Sequence, residues 1–138
     1  MADRVQFILD RMAVTFREME QFGVFTQEEV KSVVKKRTDY EYKLRRRQQT
    51  PADYYGYLQY ELGLEELRGL RCRKQRVGQG PDSDIDFSKE LINKHRKLQA
   101  AFMRHISYVF ERALRYVVRV GAYVHSNGRN IDPLLQQL

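Results

Sequence analysis

The stretch Thr50–Lys74, TPADYYGYLQYELGLEELRGLRCRK, decides how the rest of the chain is read. At about 100° per residue, Tyr54, Tyr57, Leu58 and Glu61 fall on one face of a helix. A glutamate set in an aromatic stripe must find a partner, because an unpaired buried charge is strongly destabilising. The face is therefore expected to dock on a neighbouring helix that supplies a cation or a hydroxyl. The start of the helix is marked as well. Thr50 suits the N-cap, Pro51 the first helical position, and Asp53 follows three residues after the cap. The spacing predicts a helix over 51–76 with Tyr54, Tyr57, Leu58, Glu61, Leu62 and Leu64 facing inward. Gly56, Gly63 and Gly69 each cost about 1 kcal/mol of helix propensity. Close approach of a second helix is the expected use of all three.

The segments on either side also read as helices. Val5, Ile8, Leu9, Met12, Phe16 and Met19 recur at three-four spacing, which predicts a helix over 3–21. Gly23 is placed to end it in a left-handed conformation. In Phe25-Thr26-Gln27-Glu28-Glu29, Thr26 can cap, Glu29 can reach back and Phe25 can staple onto Val30. A second helix follows over 27–47, with Val30, Val33, Val34 and Leu44 inward. Arg37 shares that side, with Glu41 one turn further on. Antiparallel packing of the second and third helices brings Arg37 or Thr38 close to Glu61. Residues 77–87 (VGQGPDSDIDF) read as a loop. A fourth helix is expected over 88–118, its apolar side marked by Leu91, Leu98, Phe102, Ile106, Val109, Phe110, Ala113 and Leu114. Ser126 to Asn130 reads as a turn, and Ile131 to Leu138 as a short tail. No segment alternates like a strand. The expected architecture is all-α, built of antiparallel helical hairpins. It divides into a hairpin over 1–49, a helical pair over 50–115 and a divergent tail over 116–138.

Composition narrows the function. The 138 residues are 42% hydrophobic and 12% aromatic, enough to fold as one domain. Lys and Arg number 25 against 18 Asp and Glu, a net charge of +7 that favours an acidic partner. Cys72 is the single cysteine, so no disulfide forms within the chain and a reducing compartment is expected. Its arginine neighbours notwithstanding, it reads as a small residue on a helix face. The N-terminal stretch lacks a signal-peptide apolar core, and nothing approaches the ~20 apolar residues of a membrane span, so an intracellular, soluble chain is expected. His95, His105 and His125 have no ligand-type partner three or four residues away, so no metal site is expected. No phosphate-binding glycine loop, and no nucleophile with its base and orienter, is present. Neither catalysis nor a cofactor is expected.

Two basic clusters remain. One holds Lys35, Lys36, Arg37, Lys43, Arg45, Arg46 and Arg47. The other holds Arg68, Arg71, Arg73, Lys74 and Arg76. Both lie toward helix C-termini, where cations complement the macrodipole. A patch facing phosphate or acid is the other reading, and both stay open. The candidates for RNA or acidic-partner contact are Lys35, Lys36, Arg45, Arg46, Arg47, Arg71, Arg73, Lys74 and Arg76.

Tyr54-x-x-Tyr57-x-x-x-Glu61 resembles the first helix of a half-a-TPR (HAT) repeat, and Val109 to Leu114, VFERAL, resembles the second. Flanking segments carry a more specific likeness. Gly23 to Arg47, Tyr57 to Glu61 and Leu67 to Lys74 are similar to the N-terminal region of the U3 small nucleolar RNA-associated protein 6 family. The run Lys35-Lys36-Arg37-Thr38-Asp39-Tyr40-Glu41 is its most specific part. The resemblance spans roughly residues 3 to 115. It implies an α-solenoid start in which Tyr54, Tyr57, Glu61, Phe110, Ala113 and Leu114 hold a HAT/TPR-like repeat together. It also implies a nucleolar, non-enzymatic scaffold of the UtpB subcomplex in the small-subunit processome, which processes pre-18S ribosomal RNA. The implied partners are other UtpB subunits, including β-propeller proteins such as U3 small nucleolar RNA-associated protein 18, with pre-rRNA or U3 snoRNA contact as an alternative. A HAT-repeat subunit of another RNA-processing complex is a further alternative, against which the Lys35–Arg47 segment argues. Family members are several times longer, and Tyr116 to Leu138 lacks the aromatic-glutamate pattern. An apolar surface around Phe110, Leu114, Val117 and Val120 is therefore expected to stay exposed unless a partner covers it.

Overall fold

A computed structural model describes residues 2–78 and 85–127. Four helices make up its regular structure: α1 (Ala2–Gln21), α2 (Gln27–Lys43), α3 (Pro51–Val77) and α4 (Ile85–Asn127). Among the described residues there is no strand, so the chain is all-α. No helix there is long and apolar enough to cross a membrane.

The local signals act where the residues place them. Gly23 has φ +70, the left-handed region, and lets the Phe25 amide return to the Met19 carbonyl at 3.2 Å. Thr26 Oγ1 accepts from the Glu29 amide at 3.3 Å, and Phe25 and Val30 are buried in one cluster. At the start of α3 the Thr50 amide donates to Asp53 Oδ2 at 3.1 Å. Gly56 alone of the three α3 glycines approaches another helix, since a Cβ there would meet the Tyr40 ring at 3.6 Å. Gly63 faces open space and Gly69 meets only Arg73 of its own helix, so close approach does not explain either.

Packing is antiparallel between α2 and α3, as the pairs 29–71, 37–61 and 41–57 require, and between α3 and α4, through 75–95 and 57–105. The main core joins Met19, Phe25, Val33, Leu64, Leu98 and Phe102, while Leu44, Tyr54, Tyr57 and Val109 form a second cluster. Each fully buried Leu or Phe contributes about 1.5–3 kcal/mol of transfer free energy, so these clusters supply the main cohesion.

Several boundaries differ from expectation. α2 stops at Lys43: the Leu44 amide closes the last α-helical bond, to the Tyr40 carbonyl, after which the Arg45 and Arg46 amides bond three residues back, to Tyr42 and Lys43, and Leu44 packs in one cluster with Tyr54 and Tyr57. Residues 44–47 therefore belong to the link into α3. α4 begins at Ile85 and runs on to Asn127, well past 118. Tertiary contacts reach past the expected end: the Tyr116 ring stacks on Tyr54 at 4.8 Å, its hydroxyl donates to the Gln49 carbonyl at 3.0 Å, and Arg119 Nη2 donates to Gln49 Oε1 at 3.2 Å. Leu62 is exposed, one step of the helix away from the buried face. On α4 the expected open apolar surface is present: Phe110, Leu114 and Val117 are exposed, joined by Val118, while Val120 is half-buried. Phe110 and Leu114 belong to neither buried cluster, whereas Ala113 packs against the second. The expectations for residues 79–84 and 128–138 lie outside the described residues.

Candidate interaction site: a buried ionic network and the basic faces around it

Glu61 is 1% exposed and lies deep between α2, α3 and α4. Arg37 meets it bidentately, Nε to Oε1 at 2.8 Å and Nη2 to Oε2 at 2.9 Å. This is the planar fork geometry that makes arginine, rather than lysine, suited to a dry carboxylate. Of the two partners the spacing allowed, Arg37 takes the role. Thr38 turns back to the Val34 carbonyl at 2.7 Å. Apolar and aromatic groups enclose the pair. The Arg37 guanidinium lies 5.5 Å from the Phe16 ring centre and 5.8 Å from that of Phe102, and its Nη1 reaches the Met12 sulfur at 3.5 Å. All four helices thus contribute to one charged centre.

The network continues toward α4. His105 Nε2 lies 3.3 Å from Glu61 Oε1 and 3.0 Å from the Tyr57 hydroxyl. Tyr57 in turn donates to Glu41 Oε1 at 3.0 Å. With the Tyr57 proton spent on Glu41, the consistent arrangement has His105 Nε2–H donating and the Tyr57 oxygen accepting. Glu41 is fully buried and also accepts from Arg112 Nη1, 2.8 Å to each oxygen. Tyr40 stacks on Tyr57 at 4.9 Å and fixes the ring. Two carboxylates and two guanidiniums alternate here, so the buried charges balance.

Burial pushes the Glu61 carboxyl up, but the His105 hydrogen bond and the Arg37 charge outweigh it and hold the carboxyl below its usual value. Burial, reinforced by the Glu41 and Glu61 charges, raises the Tyr57 phenol, which stays protonated. The Glu29 carboxyl is lowered, chiefly by its hydrogen bond from Arg71. Burial lowers His95, with Arg76 and Arg68 adding to the effect. Its Nε2 lies 2.8 Å from Gln75 Oε1 while Nδ1 has no partner. These last shifts share a sign. A folded value below the unfolded one means that the unfolded chain takes up protons first, so stability falls as pH falls. For His95 the loss begins as pH drops through its ordinary 6.5. For Glu61 and Glu29 it begins below 4.5. A thermal-unfolding series from neutral to acidic pH should show two declines, and His95→Gln should remove the first alone.

The basic residues sort into two kinds that look alike in sequence. Arg71 donates to the Val24 carbonyl at 3.0 Å and pairs with Glu29, so it ties α3 to the α1–α2 turn. Arg68 is buried against Glu65 and Cys72, and Arg45 is half-buried with an unpartnered Nε. These three are structural to differing degrees, which removes Arg71, and largely Arg45, from an open patch. Lys35, Lys36, Arg46, Arg47, Arg73, Lys74 and Arg76 are exposed. Burial raises the Cys72 thiol despite Arg68, so it stays neutral, as a small packed residue would. Among the described residues no group of His, Cys, Asp and Glu is arranged to hold a metal.

Several participants carried no sequence signal. Arg112, His105 and Tyr116 lie far from their partners along the chain, and Gln49 falls between two helices. Gln49 binds the Leu44 carbonyl, accepts from the Tyr54 hydroxyl at 2.8 Å and receives Arg119 at 3.2 Å. The clue available was the position of Gln49 directly before the Thr50 cap.

A family model for U3 small nucleolar RNA-associated protein 6 matches residues 9–94. The chain is 29% identical over 113 residues to the human U3 small nucleolar RNA-associated protein 6 homolog, covering 82% of this chain and 17% of that protein. The mouse homolog is 34% identical over the same length and shares. The fission yeast protein, from Schizosaccharomyces pombe, is 31% identical over 77 residues, 56% of this chain and 16% of that protein. The chain thus spans about a sixth of the length of these relatives. Arg37, Glu41, Tyr57 and Glu61 all lie within the residues that the family model matches.

Proposed function

Because the chain belongs to the U3 small nucleolar RNA-associated protein 6 family, we propose that it is a non-enzymatic helical scaffold in U3 snoRNA-linked ribosome biogenesis. In the finer form of this reading it sits in the nucleolus, in the UtpB subcomplex of the small-subunit processome. There it supports pre-18S ribosomal RNA processing and small-subunit assembly. Its neighbours are other UtpB subunits, including β-propeller proteins such as U3 small nucleolar RNA-associated protein 18. The family match carries the proposal, and the interior supports it. Glu61, Glu41, Arg37 and Tyr57 are sealed and engaged with one another, which suits a rigid brace. The exposed apolar strip of Phe110, Leu114 and Val117 suits continuation of a helical HAT/TPR-like stack.

Affinity purification of the intact chain, with crosslinking to both protein and RNA, tests the proposal. U3 snoRNA should be enriched, with crosslinks running mainly to protein. Recovery without U3 snoRNA or its proteins would refute it.

One observation favours a second reading, direct RNA contact. Lys35, Lys36, Arg46, Arg47, Arg73, Lys74 and Arg76 are exposed on the α2 and α3 flanks and have no carboxylate partner among the described residues. Charge reversal at the exposed Arg46 and Arg47 together should then abolish RNA retention and leave protein partners in place. Unchanged RNA retention would leave the scaffold reading alone.

A further inference from the structure

A cavity of about 270 Å³ opens between α1 and α4 beside the charged centre. Arg37 and His105 form its buried side, and Arg11 from α1 and Arg104 from α4 also line it. No carboxylate lines it. Glu61 offsets Arg37, but Arg11 and Arg104 have no acidic partner among the described residues. Arg11 approaches the Phe7 ring at 5.9 Å and lies near enough to Tyr108 to act on its phenol electrostatically. Two exposed positive charges without an acidic partner among the described residues therefore rim a cleft with apolar walls such as Ile8 and Met12. Low-dielectric walls of that kind concentrate the field inside a cleft.

A second observation comes from Arg37 itself. It is 1% exposed, and its Nη1 has only the Met12 sulfur, at 3.5 Å, as acceptor. A thioether is a weak acceptor, so this buried cationic donor is poorly satisfied. An oxygen entering the cavity would serve it better, and a methionine side chain moves aside easily.

We propose that this cavity receives an acidic side chain of a partner peptide, its carboxylate held between Arg11 and Arg104 and its stem against Ile8, Met12 and Tyr108. The lining favours a peptide over RNA. Ile8, Met12 and Ala101 give the carbon stem of an acidic side chain an apolar seat, which a polar ribose-phosphate chain leaves unused. Arginine supplies paired donors to the carboxylate. The proposal names the chemistry of one partner contact and rests on the reading of the chain as a scaffold for proteins.

Fluorescence anisotropy with the purified full chain tests it. The probes are a short labelled peptide alternating glutamate and leucine, its glutamine counterpart, and an oligouridine. The chain should bind the glutamate peptide and not the glutamine one. Arg11→Glu and Arg104→Glu should each weaken that binding about tenfold or more, whereas Lys31→Glu on the exposed face of α2 leaves it unchanged. Neither arginine makes a hydrogen bond among the described residues, so the circular dichroism of both variants should match the parent. Equal binding of the two peptides, or equal effects of the Arg104 and Lys31 variants, overturns the proposal. So does oligouridine binding that the two arginine variants abolish while the peptide fails to bind. Because the assay uses purified chain, it can fail while U3 snoRNA still co-purifies from cells.

Discussion

Glu61→Ala should destabilise the fold by about 3–5 kcal/mol, the cost of leaving a buried guanidinium without its carboxylate. In a chain of this size that lowers the melting midpoint by about 10 °C or more. The loss is large because Arg37 is 1% exposed and Glu61 supplies both of its oxygen acceptors among the described residues. Phe16, Phe102 and Met12 pack around its guanidinium, and no second carboxylate among the described residues reaches it. Glu61→Gln should lose less, since an amide oxygen still accepts one of the two hydrogen bonds. Replacing both partners by apolar residues of similar volume should recover much of the loss, because the desolvation penalty leaves with the charges. The pair therefore adds little over a well-packed apolar core, but half of it is worse than either. Circular dichroism melts of the three variants against the parent check this ordering.

Glu41→Ala should cost about 2–3 kcal/mol, less than Glu61→Ala although Glu41 is equally buried. Its removal strands the Tyr57 hydroxyl and Arg112 together. Both have an escape. The Tyr57 hydroxyl still accepts from His105 Nε2–H at 3.0 Å, so only its own proton loses a partner. The Arg112 side chain is 17% exposed and can turn toward water. Urea unfolding of Glu41→Ala beside Glu61→Ala measures the difference. A larger loss for Glu41 would place the hub of the network at Tyr57 and Arg112 instead.

The contrast between these carboxylates also explains what the sequence could reveal. Glu61 and Arg37 were legible because each sits on an apolar face of helical period, and because a short link forces α2 and α3 antiparallel. Two periodic faces and one tight turn almost determine the pairing. Glu41 was visible on the same face, but Arg112 was not, since its partner lies across a different helix pair and no local spacing joins them. His105 stood among apolar residues of α4 without any mark of its role. Leu62 was misassigned because one residue is about 100° of helix rotation, enough to carry a side chain from core to solvent. α4 outruns its expected end at 118 because no stop residue stands there and Arg119 still reaches Gln49 across the fold. The basic clusters could not be sorted at all from composition. Arg68, Arg71 and Arg73 are one run in sequence, yet the first is buried on Glu65, the second bridges to Glu29 and the third is exposed.

Mutual dependence of Arg37 and Glu61 underlies this picture of a rigid brace, and a double-mutant cycle measures it. Arg37→Ala, Glu61→Ala and the double variant should be compared by urea unfolding. If the pair locks the helices together, the double variant will be more stable than the sum of the single losses by about 2 kcal/mol or more. Additive losses within about 0.5 kcal/mol, or a Glu61→Ala midpoint equal to that of the parent, would contradict it.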